Sequence, residues 1–250
     1  MKIIYQDKDL LVIDKPAGID VIEMMDLLVQ EYPELKEAGE EPRHGLIHRL
    51  DKDTSGVVLV AKNKESLVFF QKQFSGQSES VSDKKEKRLE KKVEKRYIAL
   101  VVGNIKNDSG KIETLIGRGI NDRKKQKVYL PHEPNIEGKR EAITDYRVIE
   151  RFSAPGGPAL GGKNYTLLEV SPRTGRKHQI RVHLSYLNHP IVGDKVYGFK
   201  GQSSPNGLDR QFLHAKCIKI KMLNGETKEF CSELPNDLQN IINKLAKDQL

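Results

Sequence analysis

Hydrophobic positions along the chain fall into short runs broken by polar turns, with a few stretches of helical spacing between them. Ile3 to Tyr5 and Leu10 to Ile13 read as two strands joined by a turn at Asp7-Lys8-Asp9. Lys15-Pro16-Ala17-Gly18 breaks that pattern. Val21, Met24, Met25, Leu28 and Val29 then recur at the spacing of one helical face, which predicts a helix over Val21 to Gln30. A connector rich in Glu, Pro and Gly, Glu31 to Arg43, leads to a strand-like Leu46 to Leu50. Val57 to Ala61 continues the sheet, and Leu67 to Phe74 has the spacing of an amphipathic helix. Further strands are predicted at Tyr97 to Val102, Lys111 to Ile116, Ile143 to Ile149, Tyr165 to Val170 and Phe212 to Ile220. Helices are predicted at Lys177 to Leu187 and Leu234 to Leu250. Pro235 stands near the start of the last, where a missing N–H costs least. Gly156-Gly157 and Gly161-Gly162 predict a hairpin loop. Many strands joined by hairpins, with scattered helices, point to an α+β fold with a mixed, mostly antiparallel central sheet and flanking helices. Neither an internal repeat nor a second hydrophobic core is visible, so a single domain over residues 1–250 is expected.

Charge changes the picture next. Lys plus Arg outnumber Asp plus Glu by 43 to 35, a formal net charge of +8, which favours a polyanionic partner such as nucleic acid. No apolar run approaches the ~20 residues of a membrane span. The opening Met1-Lys2-Ile3-Ile4-Tyr5 enters a strand at once, without the apolar core of a signal peptide. The expectation is a soluble, cytoplasmic monomer with no membrane contact. Cys217 and Cys231 lie on separate apolar segments without CxxC spacing and read as reduced core residues, with a single disulfide as the alternative. One stretch departs in composition from its surroundings: residues 75–95 join a linker-like Gly-Gln-Ser-Glu-Ser to a run dominated by Lys, Arg and Glu. It reads as a mobile charged insert, either a solvated surface or an extension of nucleic-acid contact.

Candidate chemistry gathers in three segments. His48-Arg49-Leu50-Asp51-Lys52-Asp53-Thr54-Ser55-Gly56 runs straight into an apolar strand, which puts Asp51 on a short loop beside a cation and a sheet edge. Lys95-Arg96-Tyr97-Ile98-Ala99-Leu100-Val101 places an aromatic ring at the start of a strand. Ser171-Pro172-Arg173-Thr174-Gly175-Arg176-Lys177-His178-Gln179-Ile180-Arg181-Val182-His183-Leu184 is a polar turn leading into a helix, rich in donors suited to phosphate and ribose. Arg176 and Arg181 lie five apart and do not share one narrow helical face, so two roles suit them better than one paired clamp. His178 and His183 lack the Cys or carboxylate neighbours of a metal site, so no metal is expected.

These segments resemble, in order, the motifs of the RluA-type pseudouridine synthases: HRLDxxTSG, the KxY strand and TGRxHQIRxH. The Ile4 to Gly18 opening, His189-Pro190-Ile191-Val192-Gly193-Asp194 and Leu213-His214-Ala215 are also similar to the family. Lys177 stands where the family has Thr. The resemblance implies a pseudouridine synthase catalytic fold with an active-site cleft, acting on structured ribosomal or transfer RNA without cofactor or metal. It implies that Asp51 is the catalytic carboxylate, acting at ribose C1′ as a nucleophile or at C2′ as a base. Tyr97 would stack on the flipped base, and Arg181 would pair with the Asp and lower its pKa. Arg49, Arg176, His178 and Gln179 would bind substrate, and Leu213 would supply apolar packing at the pocket. No S4 RNA-binding module, common in the family, is expected here, so target choice would rest on the catalytic domain. The rival reading is a non-catalytic RNA-binding or ribosome-assembly protein on the same fold. A metal-dependent nuclease would need a carboxylate cluster that the sequence lacks.

Overall fold

The computed structural model describes residues 1–75, 93–119, 125–133, 136–153, 164–200 and 208–247. The chain divides into two compact units: Met1–Lys95 with Ala215–Glu233, and Arg96–His214 with Leu234–Leu250.

In the first unit, β1 (Lys2–Gln6) and β2 (Leu10–Lys15) pair antiparallel. Asp7 makes the turn between them, its Oδ1 accepting from Asp9 N at 2.8 Å and Leu10 N at 2.7 Å. β2 continues antiparallel into β3 (Ser55–Ala61), whose every residue is buried, so both of its faces are covered. β9 (Leu213–Lys221) lies beyond β3, and β10 (Thr227–Cys231) pairs with β9. α1 (Val21–Glu31) buries the five residues that the spacing predicts. It is capped by Asp20, whose carboxylate accepts from Ile22 N and Glu23 N. A short α2 (Leu35–Ala38) falls inside the stretch read as a connector. α3 (Lys64–Ser75) packs Phe70 into a core of Leu10, Val12, Val57, Leu59 and Ile218. Its Gln73 exchanges two hydrogen bonds with the backbone of Lys221.

The expected strand at Leu46 to Leu50 is not formed. Leu46 makes one isolated bridge to Val60, and Ile47 N donates to Leu59 O. The next rung is then taken by a side chain, because Leu59 N donates to His48 Nε2 at 3.2 Å. The ladder stops there, and the chain is released into the Asp51 loop.

In the second unit, strands follow the order β4 (Glu94–Val102), β8 (Tyr165–Pro172), β7 (Arg140–Phe152), β5 (Ser109–Arg118), β6 (Gln126–Tyr129). Each neighbouring pair is antiparallel. α4 (Gln179–Tyr186) contributes Val182 to a small core with Ile116, Val128 and Ala142. α5 (Asn236–Lys247) buries Leu238 and Ile241 and is tied by an ion pair from Asp237 to Arg210. Each unit has a buried cluster of its own. The α+β class with mostly antiparallel pairing stands.

The cysteines correct another reading. The β9–β10 register sets Cys217 opposite Cys231, and the two are joined as a disulfide. Most of the 75–95 insert and the Gly156 to Gly162 loop lie outside the described residues. Among the described residues no helix is long and apolar enough to cross a membrane.

Candidate active site

Asp51 sits half-buried on the loop that follows the interrupted ladder. Its carbonyl accepts from Thr54 N at 3.0 Å, closing a tight turn around Lys52 and Asp53. Lys15 holds this turn from below. It is completely buried, and its Nζ donates to Pro16 O (2.8 Å), Ile19 O (2.8 Å) and Lys52 O (2.9 Å), one carbonyl for each ammonium hydrogen. Gly18 N donates to the same Lys52 O, so the Lys-Pro loop and the Asp51 loop are stitched together through main-chain oxygen. Upstream, His48 stacks on Phe74 with ring centroids 4.8 Å apart. Burial, then the charge of Lys95, push the His48 pKa down to about 3, so the ring is a neutral acceptor for Leu59 N. Downstream, Thr54 and Ser55 are buried. Gly56 has φ +116°, and a Cβ there would lie 2.2 Å from Ala215 O, so only glycine fits. Arg49 is exposed beside the loop.

The other predicted residues stand in the second unit. Arg181 is buried on α4 and grips Asp194 with two parallel bonds: Nε to Oδ2 at 2.7 Å and its second guanidinium nitrogen to Oδ1 at 2.9 Å. Burial pushes the Asp194 carboxyl upward. The bonds and charge of Arg181, with the N–H groups of Tyr197 and Val196, outweigh that and hold it below the usual carboxylate range. The Tyr197 ring covers the Arg181 guanidinium at 5.3 Å, and its hydroxyl meets His178 Nδ1 at 2.9 Å and accepts from Gln126 N. His178 adopts the left-handed conformation (φ 56°) at the start of α4, which turns its ring toward Tyr197. His183 is fully buried between two hydroxyls, Thr114 at 3.0 Å and Thr144 at 2.8 Å, and burial lowers its pKa to about 4.

Gln179 is engaged by the protein on every side. Its Oε1 accepts from Thr174 Oγ1 and Arg176 N, and its Nε2 donates to Ile143 O and Thr144 Oγ1. That fills all four positions of a buried amide, so Gln179 shapes the turn. Arg176 is half-buried with Nε on Glu141 O, leaving the rest of its guanidinium for other contacts. Tyr97 is buried early in β4 opposite Val170, and Leu213 is buried at the start of β9. Arg176, His178, Gln179 and Arg181 therefore lie on one turn and helix, and Asp194 and Tyr197 hold the last of these from the loop that follows it. Asp51 and Arg49 belong to the other unit. Asp194, Tyr197 and Lys15 are the residues that sequence reading does not single out. The signals were there in Gly193-Asp194 and Lys15-Pro16, both inside segments matched only as supporting loops. Cys217, Glu229 and Cys231 cluster closely enough for a metal ion, but both sulfurs are spent on the disulfide.

The fold places the chain in a class first. It is similar over 98% of its length to human RNA pseudouridylate synthase domain containing 1 (TM-score 0.69, 25% identity, 94% of that chain). It is similar over the same share to human RNA pseudouridylate synthase domain containing 4 (TM-score 0.71, 25% identity, 92% of that chain). The profile of the RNA pseudouridylate synthase family matches residues 9–186, and the chain belongs to that family. It is 36% identical to ribosomal large subunit pseudouridine synthase D of Borreliella burgdorferi over 93% of this chain and 65% of the relative. With the Yersinia pestis protein of the same name it shares 33% identity over 99% of this chain and 71% of the relative. The uncharacterized RNA pseudouridine synthase YlyB of Bacillus subtilis is 34% identical over 99% of this chain and 74% of the relative. The chain thus spans 65% of the length of the Borreliella relative. The RluA-type resemblance of the motifs holds.

Proposed function

We propose that the protein is an RNA pseudouridine synthase, an isomerase that converts chosen uridines of ribosomal or transfer RNA to pseudouridine. Support comes from family membership, from relatives named for the large ribosomal subunit, and from the chemistry that the two motif-bearing elements can supply. The observation that carries the reading is the Asp51 loop: a half-buried carboxylate on a turn pinned by a buried lysine and closed by a glycine that admits no side chain.

In this reading the Asp51 carboxylate acts on the ribose, at C1′ as a nucleophile or at C2′ as a base. The N1–C1′ bond breaks, the uracil turns, and C5 bonds to C1′. C5 then loses a proton and N1 gains one, so the reaction balances without a co-reactant. Tyr97 supplies an aromatic face for the extruded base, Arg181 the counter-charge, and Arg49, Arg176 and His178 contacts to the RNA. A loop or bulge should react better than a rigid duplex, because the uridine must leave its stack.

The test is pseudouridine mapping in cellular RNA with wild-type protein, with Asp51→Asn and with neither. Modification lost in the variant, with its melting temperature within a few degrees of wild type, is the expected result. Modification by Asp51→Asn would overturn the assignment. RNA binding without modification by the wild type would favour the non-catalytic reading.

A further inference from the structure

At one end of the second unit's sheet, Gly117 on β5 pairs with Lys127 on β6, and Arg118 pairs with Gln126. Lys139 immediately precedes Arg140, which pairs with Ile116 on the other side of β5. A Cβ on Gly117 would lie 2.2 Å from Lys139 Cδ, so the lysine stem crosses the bare glycine. The two ammonium groups thereby converge on one ring: Lys127 Nζ is 5.3 Å and Lys139 Nζ 4.8 Å from the centroid of Tyr129. That ring is buried and fixed by its hydroxyl, which donates to Arg118 O at 2.8 Å. An aromatic face attracts a cation but carries no net charge, so it gathers the two ammoniums without neutralising them.

Lys111, Arg147, Arg151 and Arg173 are matched by Glu113, Glu169, Asp108 and Asp145. Among the described residues Lys127, Lys139, Arg118 and Arg140 have no carboxylate in ion-pair reach. Lys127, Arg118 and Arg140 are exposed, and Lys139 is half-buried. Arg176 adds to the same field. Burial, then the positive charge of Arg140, hold its pKa below the usual arginine value, against the opposing charge of Glu141. Like charges gathered at a fixed ring, with no carboxylate in ion-pair reach of the two lysines among the described residues, make a surface that an anion would complete.

We propose that Lys127 and Lys139, gathered over Tyr129, clamp a backbone phosphate of the substrate RNA. The inference rests on RNA being the substrate and adds a docking surface on the β5–β6 edge that no motif marks. Phosphate contacts of this kind position the strand and are indifferent to base identity.

The experiment titrates full-length protein with a fluorescein-labelled RNA hairpin carrying uridines in its loop, over salt from about 0.05 to 0.2 M. Lys127→Gln/Lys139→Gln keeps most of each stem and removes both charges. Loss of two phosphate contacts should make the slope of log K against log salt shallower by about 1.4–1.8 and raise Kd on the order of tenfold. Lys127→Arg/Lys139→Arg should keep the wild-type slope. Lys36→Gln/Lys106→Gln, the same charge change at two other exposed lysines, should leave it unaltered. An unchanged slope in Lys127→Gln/Lys139→Gln would overturn the proposal, as would an equal change in the control pair. Binding is read directly, so the result is independent of whether wild type makes pseudouridine, which a parallel mapping reports.

Discussion

In the first unit the Asp51 loop is held by main chain: one buried ammonium, Lys15, gathers three carbonyls, and Thr54 N closes the turn on Asp51 O. In the second unit the turn and helix that carry Arg181 are held by side chains: Asp194 on Arg181, Tyr197 on His178, and Gln179 and His183 on the threonines of β5, β7 and the turn. Main-chain fixing puts the demand on the clamp and on the closing glycine, Gly56. Side-chain fixing makes nearly every polar letter of the segment structural. The two segments resemble the family equally well, but for different physical reasons.

The largest effect should fall on the second unit. Asp194→Ala leaves the buried Arg181 without the carboxylate it grips, a change that costs about 3–5 kcal/mol and roughly 10 °C of melting temperature. Urea unfolding checks it, and a loss under about 1 kcal/mol would remove Asp194 from the account. Acid comes next. His183 has its pKa lowered from 6.5 to about 4, so the native ring refuses a proton that the unfolded ring accepts. Its contribution is complete above about pH 6.5 and is lost as pH falls to about 4, on the order of 3 kcal/mol. His183→Gln should flatten stability across that window, whatever it does to stability at neutral pH. An unaltered pH slope would show that the ring is not the titrating group.

For the first unit, Lys15→Met removes the donor from three carbonyls and should cost about 2 kcal/mol. The sharper readout is local. Hydrogen exchange at the Gly18 and Thr54 amides should rise well above that of β3, whereas uniform exchange would mean that Lys15 does not set the loop. The smallest effect is Asp20→Ala, which removes the cap of α1 and should cost about 1 kcal/mol in thermal unfolding without disturbing the Asp51 loop.

Much of this was legible in the sequence because burial writes itself as period. The i, i+3, i+4 spacing of α1 and the runs in β2, β3, β8 and β9 appear where expected. The failures have physical causes. Leu46 to Leu50 has strand-like residues, but a histidine side chain takes the backbone donor that would have extended the ladder. β6 has four residues and β10 five, and they owe their existence to the partners beside them. The cysteine pairing depends on the β9–β10 register, which neither segment discloses alone. Asp51 stood out by its neighbours. Asp194 stood in a family-like segment, but its pairing did not show, because the partner is an arginine thirteen positions away. Gln179 was readable as polar but not as satisfied.

Gly56 gives the HRLDKDTSG signature an uneven diagnostic value. Its slot is closed to any side chain by the backbone of Ala215, so a descendant that had lost all activity would still need glycine there to fold. Asp51 faces no such steric veto on its loop. A relative that retains the closing glycine and has exchanged the aspartate would be the telling case: a preserved scaffold without the carboxylate to which the proposed function assigns the chemistry. Annotation that scores the whole string would still count that protein as an enzyme.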